Sequence, residues 1–265
     1  MDLSKKTAFI TGGASGLGLA TAHNFASAGA NIFLYDLNSD ALESAAKELG
    51  ANVKWYAGDV ADEVAVKQAI GEAVSAFGAI HVNVNSAGIG GASRTVGRDG
   101  PMPLEKFEHI VRVNLIGTFN VLRLCAETMQ TNEPQTDDNE RGVIVNVASV
   151  AAFDGQTGQA GYAASKGGIV SMTLPIARDL AKRGVRVVTV APGVFETPLL
   201  ASAPDKVRDP LIAITQFPKR LGKPEEFAEE VAHIVKCGYL NGEVIRLDAG
   251  IRMPVSYTHL RAHET

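Results

Sequence analysis

The sequence predicts an α/β protein: a parallel sheet with helices on both faces. Three observations carry that reading. Short β-branched runs alternate with longer helical patterns along the chain, which is the order that winds a parallel sheet. Seven strand candidates are present, and no repeat or low-complexity linker divides them. The 265 residues are 46% hydrophobic, which suits one domain with a large core.

The first strand, 7–11 (TAFIT), runs straight into TGGASGLG and a helix at 17–28. Gly12, Gly16 and Gly18 permit a tight turn and let a diphosphate approach the backbone, while the helix turns its N-terminal amides to the negative charge. The second strand, 31–36 (NIFLYD), ends on Asp36. A carboxylate there accepts hydrogen bonds from both adenosine ribose hydroxyls and repels a 2′-phosphate. Ala14, Ser15 and Leu37 offer no cation to reverse that preference, so NAD is favoured over NADP. Asn38 and Ser39 are suited to cap the next helix, 40–49. After the third strand, 53–57, come Asp59 and Val60, placed to bracket adenine, and a helix at 63–77. The fourth strand, 81–85 (HVNVN), leads to Ser86, Ala87 and Gly88, small enough to let a nicotinamide ribose lie against the backbone. The expected architecture is therefore a single doubly wound Rossmann domain with a seven-stranded parallel sheet, spanning 1–254.

A helix is expected over 104–129, then a polar surface loop, QTNEPQTDDNER, over 130–141. The fifth strand, 143–147 (VIVNV), is followed by Ser149, at the ligand-facing end of the sheet. A helix at 162–182 begins with Tyr162-Ala163-Ala164-Ser165-Lys166. The i, i+4 spacing puts Tyr162 and Lys166 on one helix face. A free tyrosine, with a pKa of ~10, is a poor acid–base group at neutral pH, and a nearby ammonium pulls that value down. After the strand 185–190 (VRVVTV), residues 191–219 hold five prolines and read as an irregular lid over the site. A helix at 224–236 and a strand at 243–247 (EVIRL) complete the pattern.

Composition narrows the partners. The formal net charge is −4 and no basic stripe is visible, which argues against nucleic acid. Cys125 and Cys237 sit in apolar helical patterns and read as buried free thiols of a reducing compartment. No apolar run approaches the ~18 residues of a membrane span, and no leader pattern precedes the first strand. The expectation is a cytoplasmic protein without a membrane partner.

TGGASGLG, NSAG, VNLIGTFN, NVASVAAF, YAASK and APGVFETP together resemble the short-chain dehydrogenase/reductase superfamily. Within it, the run from GVIVNVAS to ARDL, with APGVFETPLL and NGEVIRLDAGIRM, is similar to the type II, short-chain 3-hydroxyacyl-CoA dehydrogenases, a subgroup also described as 17β-hydroxysteroid dehydrogenase. The resemblance implies a catalytic tetrad of Asn114, Ser149, Tyr162 and Lys166, in which Asn114 holds a water that links Lys166 to solvent. It implies cofactor contacts by Ser15, Leu17, Asp36, Asp59, Val60, Ser86, Tyr162 and Lys166, and by Pro192, Gly193, Phe195 and Thr197 of APGVFETP. Ser86 stands where the family more often has asparagine or cysteine. A homotetramer is implied as well, with the two long helices and the final strand at its interfaces.

The implied reaction moves a hydride between NAD and the 3-hydroxy or 3-oxo group of an acyl-CoA. Gln156, Gln159, Ser149 and Tyr162 are the expected substrate-side residues. Arg94, Arg98, Lys206, Arg208, Lys219 and Arg220 are candidates to meet CoA phosphates, against the plainer reading of solvated loop charge. The fold and tetrad leave open a hydroxysteroid or secondary-alcohol substrate, and a non-catalytic NAD-sensing scaffold.

The last eleven residues, VSYTHLRAHET, stand apart. His259 and His263 have metal-like i, i+4 spacing, but no further ligand accompanies them. The segment back-translates in one frame to the end sequence of a sequencing-library transposon running into its adaptor. Residues 255–265 are therefore expected to be an artefactual tail with no metal, whose removal leaves activity the same or better.

Overall fold

The computed structural model describes residues 1–197, 200 and 205–255, with the backbone alone for 205–208. The strands are β1 (Thr7–Thr11), β2 (Asn31–Asp36), β3 (Val53–Ala57), β4 (Val82–Asn85), β5 (Val96–Gly97), β6 (Gly100–Pro101), β7 (Gly142–Val147), β8 (Val185–Pro192) and β9 (Val244–Leu247). Seven of them form one sheet in the order β3-β2-β1-β4-β7-β8-β9, and every pair in it is parallel. The strand order reverses between β1 and β4. Such a switch point opens a crevice at the carboxyl ends of the strands, where a doubly wound sheet takes its ligand.

The helices are α1 (Gly16–Ser27), α2 (Ser39–Leu49), α3 (Glu63–Phe77), α4 (Leu104–Val111), α5 (Thr118–Met129), α6 (Ala160–Ala181), α7 (Asp205–Ile214) and α8 (Pro224–Lys236). Side chains alternate across a strand, so each strand feeds two cores. On one face Ile10, Leu34, Val84 and Val145 meet Phe25 of α1, Leu42 of α2 and Phe227 and Val231 of α8. On the other, Phe9, Phe33 and Ile144 meet Val66 and Ile70 of α3 and Val121, Cys125 and Met129 of α5. Phe9 and Phe33 stack with ring centroids 5.4 Å apart. Asn38 caps α2 by accepting the Ala41 N–H, and Asp62 caps α3 by accepting those of Val64 and Ala65.

Some elements differ from expectation. The helix expected over 104–129 is interrupted by a π-helical turn, Arg112–Gly117, with Asn114 inside it. The irregular lid contains α7, with Pro210 inside the helix. Leu211 and Ile214 give α7 an apolar face that packs on Val150, Leu221 and Ile251, and this burial outweighs the backbone hydrogen bond that Pro210 forfeits. The β5–β6 hairpin was not expected, because VG and GP carry no strand pattern. Cys237 is only half-buried, since it sits just past the end of α8 with extended backbone; Cys125 is fully buried.

Candidate active site

The glycine loop leaves β1 and enters α1 at the switch point. Gly12 has φ +63°, and a Cβ there would stand 2.8 Å from the Ala87 amide nitrogen. A Cβ on Gly18 would collide with the Gly12 carbonyl. Glycine at these positions thus lets α1 close against the loop and leaves a smooth floor. The N-cap residue Ser15 makes no capping hydrogen bond, and the first turn of α1 has no acidic residue. Its amides remain available to an anion. A dinucleotide diphosphate fits that cradle.

Asp36 has one carboxylate oxygen 3.3 Å from the Ala14 N–H and the other 3.2 Å from the Asn38 N–H. It therefore supports the glycine loop as well as facing the cleft. Asp59 accepts the Ala61 N–H at 2.8 Å, and its carbonyl accepts the Tyr35 hydroxyl at 3.0 Å. Burial and the Asp59 charge push the Tyr35 pKa up, so that hydroxyl stays a donor. The Val60 carbonyl is held by the Asn120 side chain at 2.8 Å.

The opposite wall comes from β7 and α6. Ser149 caps a short 3-10 turn, Val150–Ala152, by accepting the Ala151 N–H at 3.1 Å. That use of the oxygen leaves the hydroxyl proton to donate into the cleft. Lys166 is buried, and its Nζ donates to the Val147 carbonyl at 2.8 Å. The same Nζ lies 5.9 Å from the centroid of the Tyr162 ring. Burial lowers the Lys166 pKa to about 8 from 10.5. Asn114 is fully buried below this wall. Its side chain accepts the Ile89 N–H at 2.8 Å and donates to the Ile89 carbonyl and to Ser165 Oγ, each at 3.0 Å. The Ser165 hydroxyl donates in turn to the Tyr162 carbonyl at 2.7 Å. A Cβ on Gly88 would sit 3.2 Å from Asn114 Oδ1 and 3.4 Å from Lys166 Nζ, so all three close on one point.

These groups share one cleft of about 680 Å³. It is lined by Gly12, Ser15, Gly16, Leu17, Asp36, Asp59, Val60, Ser86, Ala87 and Gly88 on the nucleotide side. Ser149, Gln159, Tyr162, Lys166, Pro192, Gly193, Phe195 and Thr197 line the rest of the expected site. Gly18 and Asn114 stand behind its walls. Gln156 does not line it: its amide donates to the Pro254 carbonyl at 3.1 Å, and it borders a neighbouring groove with Arg94.

Among the described residues, the cations expected to meet CoA do not converge on the cleft. Among the described residues, Lys166 is the cation that lines it. Arg94, just before β5, and Arg98, in the β5–β6 turn, are both exposed. Arg220 forms a two-pronged ion pair with Glu226 at 2.6 and 2.8 Å, and Lys219 donates to the Ala213 carbonyl at 3.2 Å. The side chains of Lys206 and Arg208, and His259 and His263, lie outside the described residues.

Several lining residues were not expected. Gly58, Ile89 and Gly90 directly adjoin expected ones, so extending each motif by one or two positions finds them. Leu211 and Met253 carried no such signal; α7 and the C-terminal segment bring them in from far along the chain.

A glycine cradle at the switch point, facing a tyrosine–lysine pair and a serine across one cleft, defines a nicotinamide-dinucleotide-dependent oxidoreductase. A family model for short chain dehydrogenase matches residues 6–208. The chain belongs to that family. It is 54% identical over 248 residues to a Bos taurus protein named 3-hydroxyacyl-CoA dehydrogenase type-2, covering 93% of this chain and 95% of that one. A Drosophila melanogaster protein of the same name is 49% identical over 253 residues, covering 95% and 99%. The crystal structure of 3-hydroxyacyl-CoA dehydrogenase type-2 from Mycobacterium avium superposes with a TM-score of 0.91 at 38% identity, covering 95% and 98%.

Proposed function

We propose that the protein interconverts 3-hydroxyacyl-CoA and 3-oxoacyl-CoA, with NAD as the dinucleotide. The observation that carries this reading is the meeting of Ser149, Tyr162 and Lys166 at the cleft that the glycine loop also lines. The names of the relatives supply the substrate class. Asp36 supports NAD over NADP, because its carboxylate lines the cleft and Leu37 beside it is neutral and exposed. When bound, the nicotinamide accepts or supplies a hydride.

The chain's own groups handle the proton and the substrate oxygen. Ser149 donates its hydroxyl hydrogen bond to that oxygen and orients it. In reduction, Tyr162 Oη delivers the proton to the oxygen; in oxidation, the phenolate takes it back. The Lys166 ammonium stabilises the phenolate, at the cost of its own desolvation. Asn114 and Gly88 hold the space beside Lys166 Nζ through which a water relays protons.

Ile116, Phe119 and Leu174 expose apolar side chains on the π turn, α5 and α6, which supports a homotetramer joined along these helices. Among the described residues no helix is long and apolar enough to cross a membrane. We place the protein in the cytoplasm on its two free thiols.

Steady-state turnover of acetoacetyl-CoA with NADH, against a panel of ketosteroids and simple ketones, tests the substrate class. Preference for the thioester is expected. A rate no better than that for an unrelated ketone would remove the acyl-CoA assignment.

A further inference from the structure

One guanidinium on β9 ties the loop after Ser149 to the C-terminal segment. Arg246 Nη2 is 2.8 Å from Asp154 Oδ2 and 3.1 Å from the Ile251 carbonyl, and its Nε is 2.8 Å from Asp248 Oδ2. Its Cζ lies 5.1 Å from the centroid of the Phe153 ring. The arginine and Asp154 are about three-quarters buried, and the Asp248 side chain more so. Hydrogen bonds to Asp154 and Asp248 hold its pKa above the ordinary arginine range despite the burial.

Each partner leads to a wall of the cleft. Phe153 and Asp154 follow the turn capped by Ser149 and begin the loop that runs to Gln159 and Tyr162. The backbone of Asp248 packs against Gly193, where a Cβ would stand 2.9 Å from the Asp248 Cα. Ile251 leads to Met253, which lines the cleft. The far end of the loop is tied to the same C-terminal segment. Gln156 Nε2 donates to the Pro254 carbonyl at 3.1 Å, and the Thr157 N–H and hydroxyl donate to the Val255 carbonyl at 3.0 and 2.9 Å.

We infer that Arg246 is a positioning residue for substrate specificity. It clasps the loop 153–159 to the segment 248–255, so that Gln159 and Met253 form one fixed wall over the substrate. The planar fork of arginine suits this task, since it meets two carboxylates and a carbonyl at once; lysine is a point charge without that geometry. The inference rests on the reading of this wall as the substrate side. It goes beyond that reading by assigning the wall's shape to a residue that does not touch the cleft.

Arg246→Gln and Arg246→Lys, made in the full chain, test it with two readouts. Amide hydrogen exchange of the ligand-free protein should quicken at least tenfold in 153–159 and 248–255 in both variants, with the glycine loop at 11–18 unchanged. With NADH and acetoacetyl-CoA, KM should rise about tenfold, with kcat within about threefold and the pH profile of kcat in place. NADH affinity should stay within about twofold. Unchanged exchange in the loop would overturn the inference whatever the substrate is. So would an unchanged KM for a ketone that the wild type does turn over, or loss of NADH affinity in step with KM. If the wild type ignores acyl-CoA, the substrate class falls, and the exchange result still decides the role of Arg246.

Discussion

Lys166 Nζ stands 5.9 Å from the Tyr162 ring centroid while donating to the Val147 carbonyl, so one buried ammonium is both anchored to the sheet and aimed at the phenol. Its pKa of about 8 lies below the ordinary value of 10.5 because burial disfavours the charge. Between those two values the unfolded chain binds the proton and the folded chain releases it. Wild-type stability contributed by this group therefore rises with pH through that window and is lost as pH falls through about 8. Below it both states are charged, and the fold bears the full penalty, roughly 3 kcal/mol. Lys166→Met is expected to lower activity about 10²–10⁴-fold while leaving the ligand-free protein as stable or more stable at pH 7. Urea denaturation at pH 7 and pH 10 checks this: the gain should shrink at the higher pH. A variant less stable at pH 7 than the wild type would contradict it.

Asp36 should decide between dinucleotides. The wild type is expected to prefer NADH to NADPH by about 100-fold or more in kcat/KM, because a 2′-phosphate beside the carboxylate costs several kcal/mol. Asp36→Ala combined with Leu37→Arg should narrow or reverse the ratio. Total activity should also fall, since the Ala14 N–H loses its acceptor. An unchanged ratio would remove Asp36 from cofactor selection.

Gly18→Ala is expected to destabilise the protein by about 1–3 kcal/mol, because the added methyl meets the Gly12 carbonyl in the packed junction of loop and helix. Cofactor binding should weaken with it. Gly71, where a Cβ meets nothing within 4 Å, is the control; alanine there should be neutral or slightly stabilising. Denaturant midpoints of the two variants give the comparison.

The C-terminal segment changes the expectation that removing 255–265 leaves activity the same or better. Val255, counted with the tail on sequence grounds, has its carbonyl hydrogen-bonded by Thr157. Removing 256–265 should leave KM and kcat unchanged or improved, whereas removing 255–265 should raise KM for the ketone a few-fold. Equal kinetics for both truncations would show that the Val255 contacts do not shape the site.

The seven strands were legible because each is a short β-branched run bounded by loop residues, and β1, β2 and β3 match to the residue. The nucleotide side of the cleft was legible too, since its residues sit in short motifs just after strand ends. The π turn was not: RVNLIG continues a helical pattern, and the partners of Asn114 within the turn, Ile89 and Ser165, lie far along the chain. Nor was the substrate wall. Arg246, Asp154 and Ile251 meet only through the position of β9 beside β8, a long-range fact without a local pattern. The same limit explains the CoA cations, whose charge is visible in sequence while the Arg220–Glu226 pairing is not.

The acid–base role of Tyr162 is the centre of the account, and one substitution reads it most directly. Tyr162→Phe removes the hydroxyl and keeps the ring beside Lys166. The measurement is kcat/KM for acetoacetyl-CoA with NADH, wild type against variant. The account predicts turnover by the wild type and a fall of about 10²–10⁴-fold in the variant. Equal rates for the two would contradict it.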